Sequence, residues 1–150
     1  MLRAMVDDDA LGLLGLYGDP LVMRYTDEPP FPDLETVRRM LGSVRKLLAS
    51  GESLEWAIVS TDGVVIGTCG LHSFDNAGGT AEVGCLLRRA AWGKGYMTEA
   101  IGLLTTFARD VVGVRFLLAD VAPENQRAQM LFMKLGYKLE RSGMLRVGLS

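Results

Sequence analysis

The chain has 150 residues, of which 49% are hydrophobic and 23% charged, with a net charge of −2; this suits one domain with a proper core and leaves too little chain for two. A sequence pI near 5.4 and the lack of a basic run exclude a surface that tracks phosphates, so no nucleic acid is expected as a partner. Two cysteines and a single histidine are too few to hold a metal, no apolar run approaches the ~18 residues of a membrane span, and no signal peptide opens the chain, so a cytosolic protein with no metal and no membrane partner is expected.

In chain order, Leu2 to Val6 reads as a short edge strand, and Asp7 or Asp8 as the N-cap of a helix carrying Leu11, Leu14 and Leu16. Asp19-Pro20 opens a short helical stretch through Tyr25, after which Pro29, Pro30 and Pro32 forbid regular structure around Phe31. Asp33 precedes Leu34, Val37, Met40, Leu41, Val44, Leu47 and Leu48, the spacing of an amphipathic helix that ends near Gly51, with Arg38, Arg39, Arg45 and Lys46 on its solvated face. Glu55 to Ser60 and Val64 to Leu71 are strands joined by a turn at Thr61-Asp62-Gly63. His72 then follows as a surface histidine at a strand end. Cys69 and Cys85 fall inside apolar strand patterns and read as buried thiols.

Ala81 to Leu87 forms a further strand, antiparallel to the one before it. Trp92-Gly93-Lys94-Gly95 is a glycine-punctuated loop, and from Met97 the apolar positions return to helical spacing. Successive N–H groups between glycines approach an anion closely, and a helix N-terminus adds about half a positive charge at the same point. The loop therefore reads as a phosphate socket or, more plainly, as a tight turn. Arg115 to Val121 is the next strand and Asn125 to Leu135 the last helix. Strand, helix, strand makes a crossover unit, which places Ala81 to Leu87 and Arg115 to Val121 parallel and adjacent at their starts.

The run Asn125-Gln126-Arg127-Ala128-Gln129-Met130-Leu131-Phe132-Met133-Lys134-Leu135-Gly136-Tyr137 resembles the N-x-x-A-x-x-L-Y-x-K-x-G-F signature of the GNAT superfamily of N-acetyltransferases. Trp92 to Ala100 resembles that superfamily's pyrophosphate loop as written in the ribosomal-protein N-terminal acetyltransferase branch, although Trp92 stands where Gln or Arg is commoner and Met97 where Gly or Ala is. The likeness covers roughly residues 20 to 143. It implies the α/β GNAT fold, a mixed, mostly antiparallel sheet with a splayed central parallel pair, flanked by helices, in one domain shortened at both ends. It also implies acetyl-CoA as co-substrate and an amine acceptor, a protein N-terminus or a small molecule. Backbone groups of Cys85, Leu86 and Leu87 would hold the pantetheine, with a backbone N–H there as oxyanion donor, and those of Gly93, Lys94, Gly95, Tyr96, Met97 and Thr98 the pyrophosphate. The Lys94 side chain either touches a phosphate or is simply solvated. Asn125 caps its helix and would also reach the coenzyme or the amide being formed, and Tyr25 to Phe31 would wall the acceptor site.

Acetyl transfer needs the amine held beside the thioester, a proton removed from the ammonium and the oxyanion stabilised. The resemblance makes Asp120 and Glu82 the candidate bases; each is otherwise an ordinary strand charge. The family's proton donor to the departing thiolate is a tyrosine in the last helix, and Phe132 occupies that position. Water, Tyr96 or Tyr137 would then replace it, or the chain is a coenzyme A-binding module with weak catalysis. Finally, Tyr137 to Arg141 and Met144 to Leu149 have room for at best two short strands, more readily one complete and one fragment, so the sheet is expected to stay incomplete and the strand leading to Asp120 to keep an open edge, across which the chain would form a homodimer or stand as a less stable, shortened member.

Overall fold

The computed structural model describes residues 1–150. The elements, in order, are β1 (Leu2–Arg3), α1 (Ala10–Tyr17), α2 (Leu34–Ser50), β2 (Leu54–Val59), β3 (Val65–Asp75), β4 (Thr80–Leu87), α3 (Tyr96–Phe107), β5 (Phe116–Ala119), α4 (Gln126–Lys134), β6 (Lys138–Leu139) and β7 (Leu145–Gly148). The strands form one seven-stranded sheet ordered β1-β2-β3-β4-β5-β7-β6. Every neighbouring pair is antiparallel except β4 and β5.

Alternation along the strands divides the core between the two faces. Ala57 and Val59 pack with Val65 against Leu13 and Leu16 of α1 and Val37 and Leu41 of α2. Ile58 points the other way, into a cluster with Leu71, Val83, Leu117 and Leu145 that receives Ile101 and Leu104 of α3 and Phe132 of α4. Helix α2 follows its sequence reading closely: the Asp33 carboxylate accepts the Thr36 N–H at 2.9 Å, and Gly51 ends it.

The start of the chain differs from expectation. Asp7–Asp9 is a turn of 3₁₀ helix, and Asp9, not Asp7 or Asp8, stands before α1. Its carboxylate accepts the Val6 N–H at 2.9 Å and both Arg3 nitrogens at 2.8 Å. This paired guanidinium holds the Asp9 carboxyl below its usual range. In α1, Leu13, Leu16 and Tyr17 are buried and Leu14 is half-buried, while Leu11 is 72% exposed. Residues 19 to 25 are turns and bends, not the expected helical stretch. The Asp19 carboxylate takes the Leu21 N–H at 3.0 Å, a local alternative to a helical bond. Its other oxygen accepts from Arg89 at 2.6 Å, fastening this segment to the turn after β4.

At the C-terminus the two short strands form, one of them a two-residue fragment, but the expected open edge does not. Because β5 is only four residues long, the four residues of β7 cover its whole edge, from Phe116↔Gly148 to Ala119↔Leu145. Gly143, at φ 91°, makes the tight turn that returns the chain, and β6 is reduced to two residues on the outside of β7. No open edge is left beside β5, and the homodimer expected across it loses its basis. The closure rests on Leu145, which is fully buried. Leu145→Ala should lower unfolding free energy by about 2–5 kcal/mol in urea denaturation, whereas the same change at the exposed Leu139 should stay within about 0.5 kcal/mol.

Candidate active site

The parallel β4–β5 ladder has three register pairs, Thr80↔Phe116, Ala81↔Leu117 and Glu82↔Leu118. On its other side β4 stays paired with β3 as far as Gly67↔Leu87. From Val83 to Leu87, then, one edge of β4 faces no strand, and its N–H and C=O groups on that side border a cleft of about 800 Å³. Cys85, Leu86 and Leu87 line the cleft, together with Gly93, Gly95, Tyr96, Met97 and Thr98 from the loop and α3, and Asn125 and Phe132 from the α4 region. Of the residues selected for coenzyme binding, Lys94 alone is outside this lining, with its side chain in solvent.

Gly93 and Gly95 have φ of 74° and 85° with nothing within 4 Å of where a Cβ would stand. The loop thus presents bare backbone in a conformation that other residues resist. Gly95 is the N-cap of α3 and supplies no side chain, so the N–H groups of the first turn have no side-chain cap. In contrast, α2 and α4 are capped by the side chains of Asp33 and Asn125, the latter accepting the Ala128 N–H at 3.3 Å. The residues present at α3 therefore fit an anionic group in the cleft.

Trp92 fastens the loop. Its Nε1 donates to the Leu87 carbonyl at 2.7 Å, and the Arg127 guanidinium lies over its ring, 4.6 Å from the centroid. Arg127, at the start of α4, also lines the cleft, a part that sequence reading missed; a basic residue in the first turn of the helix facing the glycine loop was the available signal. Leu21, Val22, Arg24 and Tyr25 close the cleft from the segment held by Asp19. Within the loop proposed to wall the acceptor, Tyr25 reaches the cleft, whereas Phe31 stacks on Tyr17 with centroids 4.9 Å apart.

Neither candidate base lines the cleft. Glu82 is half-buried in β4, opposite His72 on β3 and beside Leu118 on β5, and Asp120 is exposed just past the end of β5. Strand alternation puts both on the face turned away from α3 and α4. His72 sits within β3 rather than after it, its Nδ1 2.9 Å from Ser73 Oγ. On the same face lies a buried network absent from the sequence reading. The Tyr17 hydroxyl donates to Glu55 Oε1 at 3.2 Å and in turn receives the Thr68 hydroxyl at 3.0 Å. Burial raises the Glu55 carboxyl above its ordinary range, opposed by the Tyr17 hydrogen bond and aided by the charge of Glu28. Burial likewise pushes both thiols, Cys69 and Cys85, up to about 12, so neither is a thiolate at neutral pH.

A carboxyl that binds its proton more tightly when folded adds stability at low pH and loses it as pH rises through the folded value. Glu55→Gln should therefore gain in melting temperature relative to wild type as pH increases from about 4. Parallel melting curves for the two proteins across that range would show Glu55 unperturbed.

A profile described as the acetyltransferase (GNAT) domain matches residues 1–138. The uncharacterized N-acetyltransferase p20 of Bacillus licheniformis is 35% identical over 147 residues, which span 97% of this chain and 81% of that protein. Two solved structures from Vibrio cholerae share the fold at lower identity. A spermidine N-acetyltransferase in complex with CoA and spermine superposes with a TM-score of 0.86 at 17% identity, over 99% of this chain and 95% of that one. A proposed ribosomal-protein-serine acetyltransferase gives 0.87 at 16% identity, over 98% and 92%.

Proposed function

This chain belongs to the acetyltransferase (GNAT) family, and on that premise we propose that it transfers the acetyl group of acetyl-CoA directly to a primary amine within a ternary complex. The observation that carries this reading is the meeting, in one cleft, of an unpaired β4 edge with the uncapped N-terminus of α3. The edge supplies alternating donors and acceptors for an extended chain bearing amides, as pantetheine does. The loop supplies N–H groups and a helix dipole for a pyrophosphate. The side chain of Arg127, over Trp92, adds a positive charge along the same wall. A backbone N–H of Cys85 to Leu87 would stabilise the oxyanion, and no metal takes part.

The acceptor is taken to be an amine, a protein N-terminus or a small molecule, by analogy with the spermidine and ribosomal-protein acetyltransferases of the same fold. An α-amino group has a pKa of about 8 and a lysine side chain about 10.4, so at pH 7 a proton must leave before attack. Glu82 and Asp120 lie on the face of the sheet opposite α3 and α4, beside the point where β4 and β5 part, and are the proposed acceptors of that proton, Asp120 through a water.

A second reading is a coenzyme A-binding module with weak catalysis. It is favoured by Phe132, 2% exposed, which offers no proton where the cleft wall meets α4. Release of coenzyme A thiol, measured over a panel of peptides and small amines, separates the two: acetyl transfer predicts stoichiometric release with at least one amine, and binding without release supports the module.

Gly95→Asp fills the anion socket with a charged side chain at positive φ and should weaken acetyl-CoA binding by more than about tenfold in calorimetry, with circular dichroism unchanged. Unaltered affinity removes the loop from the site. The Glu82→Ala and Asp120→Ala variants should lose about 10- to 100-fold in turnover near neutral pH and approach wild type above the acceptor's pKa. A flat ratio to wild type across pH would assign the proton to bulk water.

A further inference from the structure

Ser73 is the one residue other than glycine with a positive φ, 51°. An L side chain resists that conformation, and the ladder is disturbed with it, since the register of β3 on β4 shifts between His72 and Asp75. What the conformation delivers is a hydroxyl. Ser73 Oγ lies 2.9 Å from Nδ1 of His72, the single histidine of the chain, and ties the imidazole down by one of its two nitrogens. With the ring hydrogen on Nδ1 and directed at that oxygen, the Nε2 lone pair is free.

The half-buried ring is laid against Gly84. Its Nε2 and Cδ2 are 3.5 and 3.7 Å from the point where a Cβ of Gly84 would stand, so no side chain separates imidazole from strand. Gly84 comes two residues after Glu82, the last residue of β4 paired with β5, and precedes Cys85, which lines the cleft. A basic nitrogen therefore lies on the α1 face of β4 where that strand becomes a free edge. Most charges on this face are carboxylates. Glu82 faces His72 across the ladder. Glu55 of β2, bound by Tyr17 of α1 and within the field of Glu28, is one row away, and Asp120 follows β5. Arg146 of β7 ends the row of His72, Glu82 and Leu118, but its guanidinium lies over the Phe116 ring, 4.0 Å from the centroid, and beside Glu140. An imidazolium formed at His72 would face a carboxylate.

We propose that Nε2 of His72 takes the first proton from the acceptor's ammonium, with Glu82 stabilising the imidazolium and Ser73 acting as the positioning residue. This rests on the acetyl-transfer reading above. An imidazole ordinarily titrates at about 6.5 and a carboxylate at about 4, so the imidazole is the better matched base at neutral pH. The ammonium proton moves to the Nε2 lone pair, and the freed nitrogen pair adds to the thioester carbonyl carbon. As the tetrahedral intermediate collapses, the C–S bond breaks with its electron pair left on sulfur, and the second nitrogen proton passes to that sulfur through water. The products are the amide and the free thiol. His72 then gives its proton to solvent, which restores the neutral ring.

The test measures thiol release by wild type, His72→Ala and His72→Gln across pH, with whichever amine of the panel wild type acetylates. Both variants should lose about 10- to 100-fold in kcat near neutral pH, keep the KM for acetyl-CoA, and approach wild type above the acceptor's pKa. Free imidazole should restore turnover to His72→Ala in proportion to its unprotonated fraction, a response that a merely structural histidine would not give. Ser73→Gly separates position from stability, because glycine accepts the positive φ while the hydroxyl is lost. Its melting temperature should equal or exceed that of wild type, and its kcat should fall by about 3- to 10-fold. Wild-type turnover in both His72 variants, or a loss that free imidazole leaves unchanged, overturns the assignment while acetyl transfer stands. Full turnover in Ser73→Gly removes Ser73 from its role. No thiol release by wild type with any amine overturns the acetyl-transfer reading and the assignment with it.

Discussion

The structure depends on where one parallel ladder ends. Strand β5 is only four residues long, and its register with β4 runs no further than Glu82↔Leu118. Beyond that point the two chains part, and a strand edge that would otherwise have to be covered is left open inside the molecule. The parting makes the cleft. The rest of the architecture stabilises it: β3 holds β4 from behind, β7 covers the far side of β5, and the bond from Trp92 to the Leu87 carbonyl fixes where the glycine loop begins.

The sheet also separates two kinds of chemistry. On the face carrying α3 and α4 are the bare loop backbone, the uncapped helix and Arg127, all suited to an anion. On the opposite face the strands place the carboxyl groups of Glu55, Glu82 and Asp120. Register makes this division, because Glu55↔Gly70 and Gly70↔Gly84 lie in one row and His72↔Glu82 in the next. Under the proposed reading, an acyl donor on one side and an amine on the other would meet at the gap beyond Glu82. That constraint suits direct transfer better than a covalent enzyme intermediate, and the raised thiols of Cys69 and Cys85 offer no ready nucleophile for one.

Features written locally were legible in the sequence. The amphipathic period and Asp33 cap of α2, the glycine loop ahead of α3 and the crossover of β4 and β5 depend on residues close together in the chain, and each gave its element to within a residue or two. What escaped was set at long range. Four residues suffice for β7 only because β5 is equally short, and an isolated count from Glu140 onward does not reveal the length of its partner. The start of α1 was placed too early because the 3₁₀ turn at Asp9, held by Arg3, delays the helix to Ala10. The Tyr17, Glu55 and Thr68 network joins α1, β2 and β3, and no periodicity within one element announces it. In the candidate site the backbone contributors were named by motif, whereas Arg127 emerged only with the packing of α4.

The central claim is that the loop before α3 holds a pyrophosphate while the open edge of β4 holds the arm attached to it. Calorimetric titration with acetyl-CoA and with acetyl-pantetheine, which keeps the arm and the thioester but lacks the pyrophosphate, separates these contributions. The account predicts one-to-one binding of acetyl-CoA and a loss of at least about a hundredfold, or about 2.7 kcal/mol, for acetyl-pantetheine. Equal affinities, or no binding of acetyl-CoA, would contradict it.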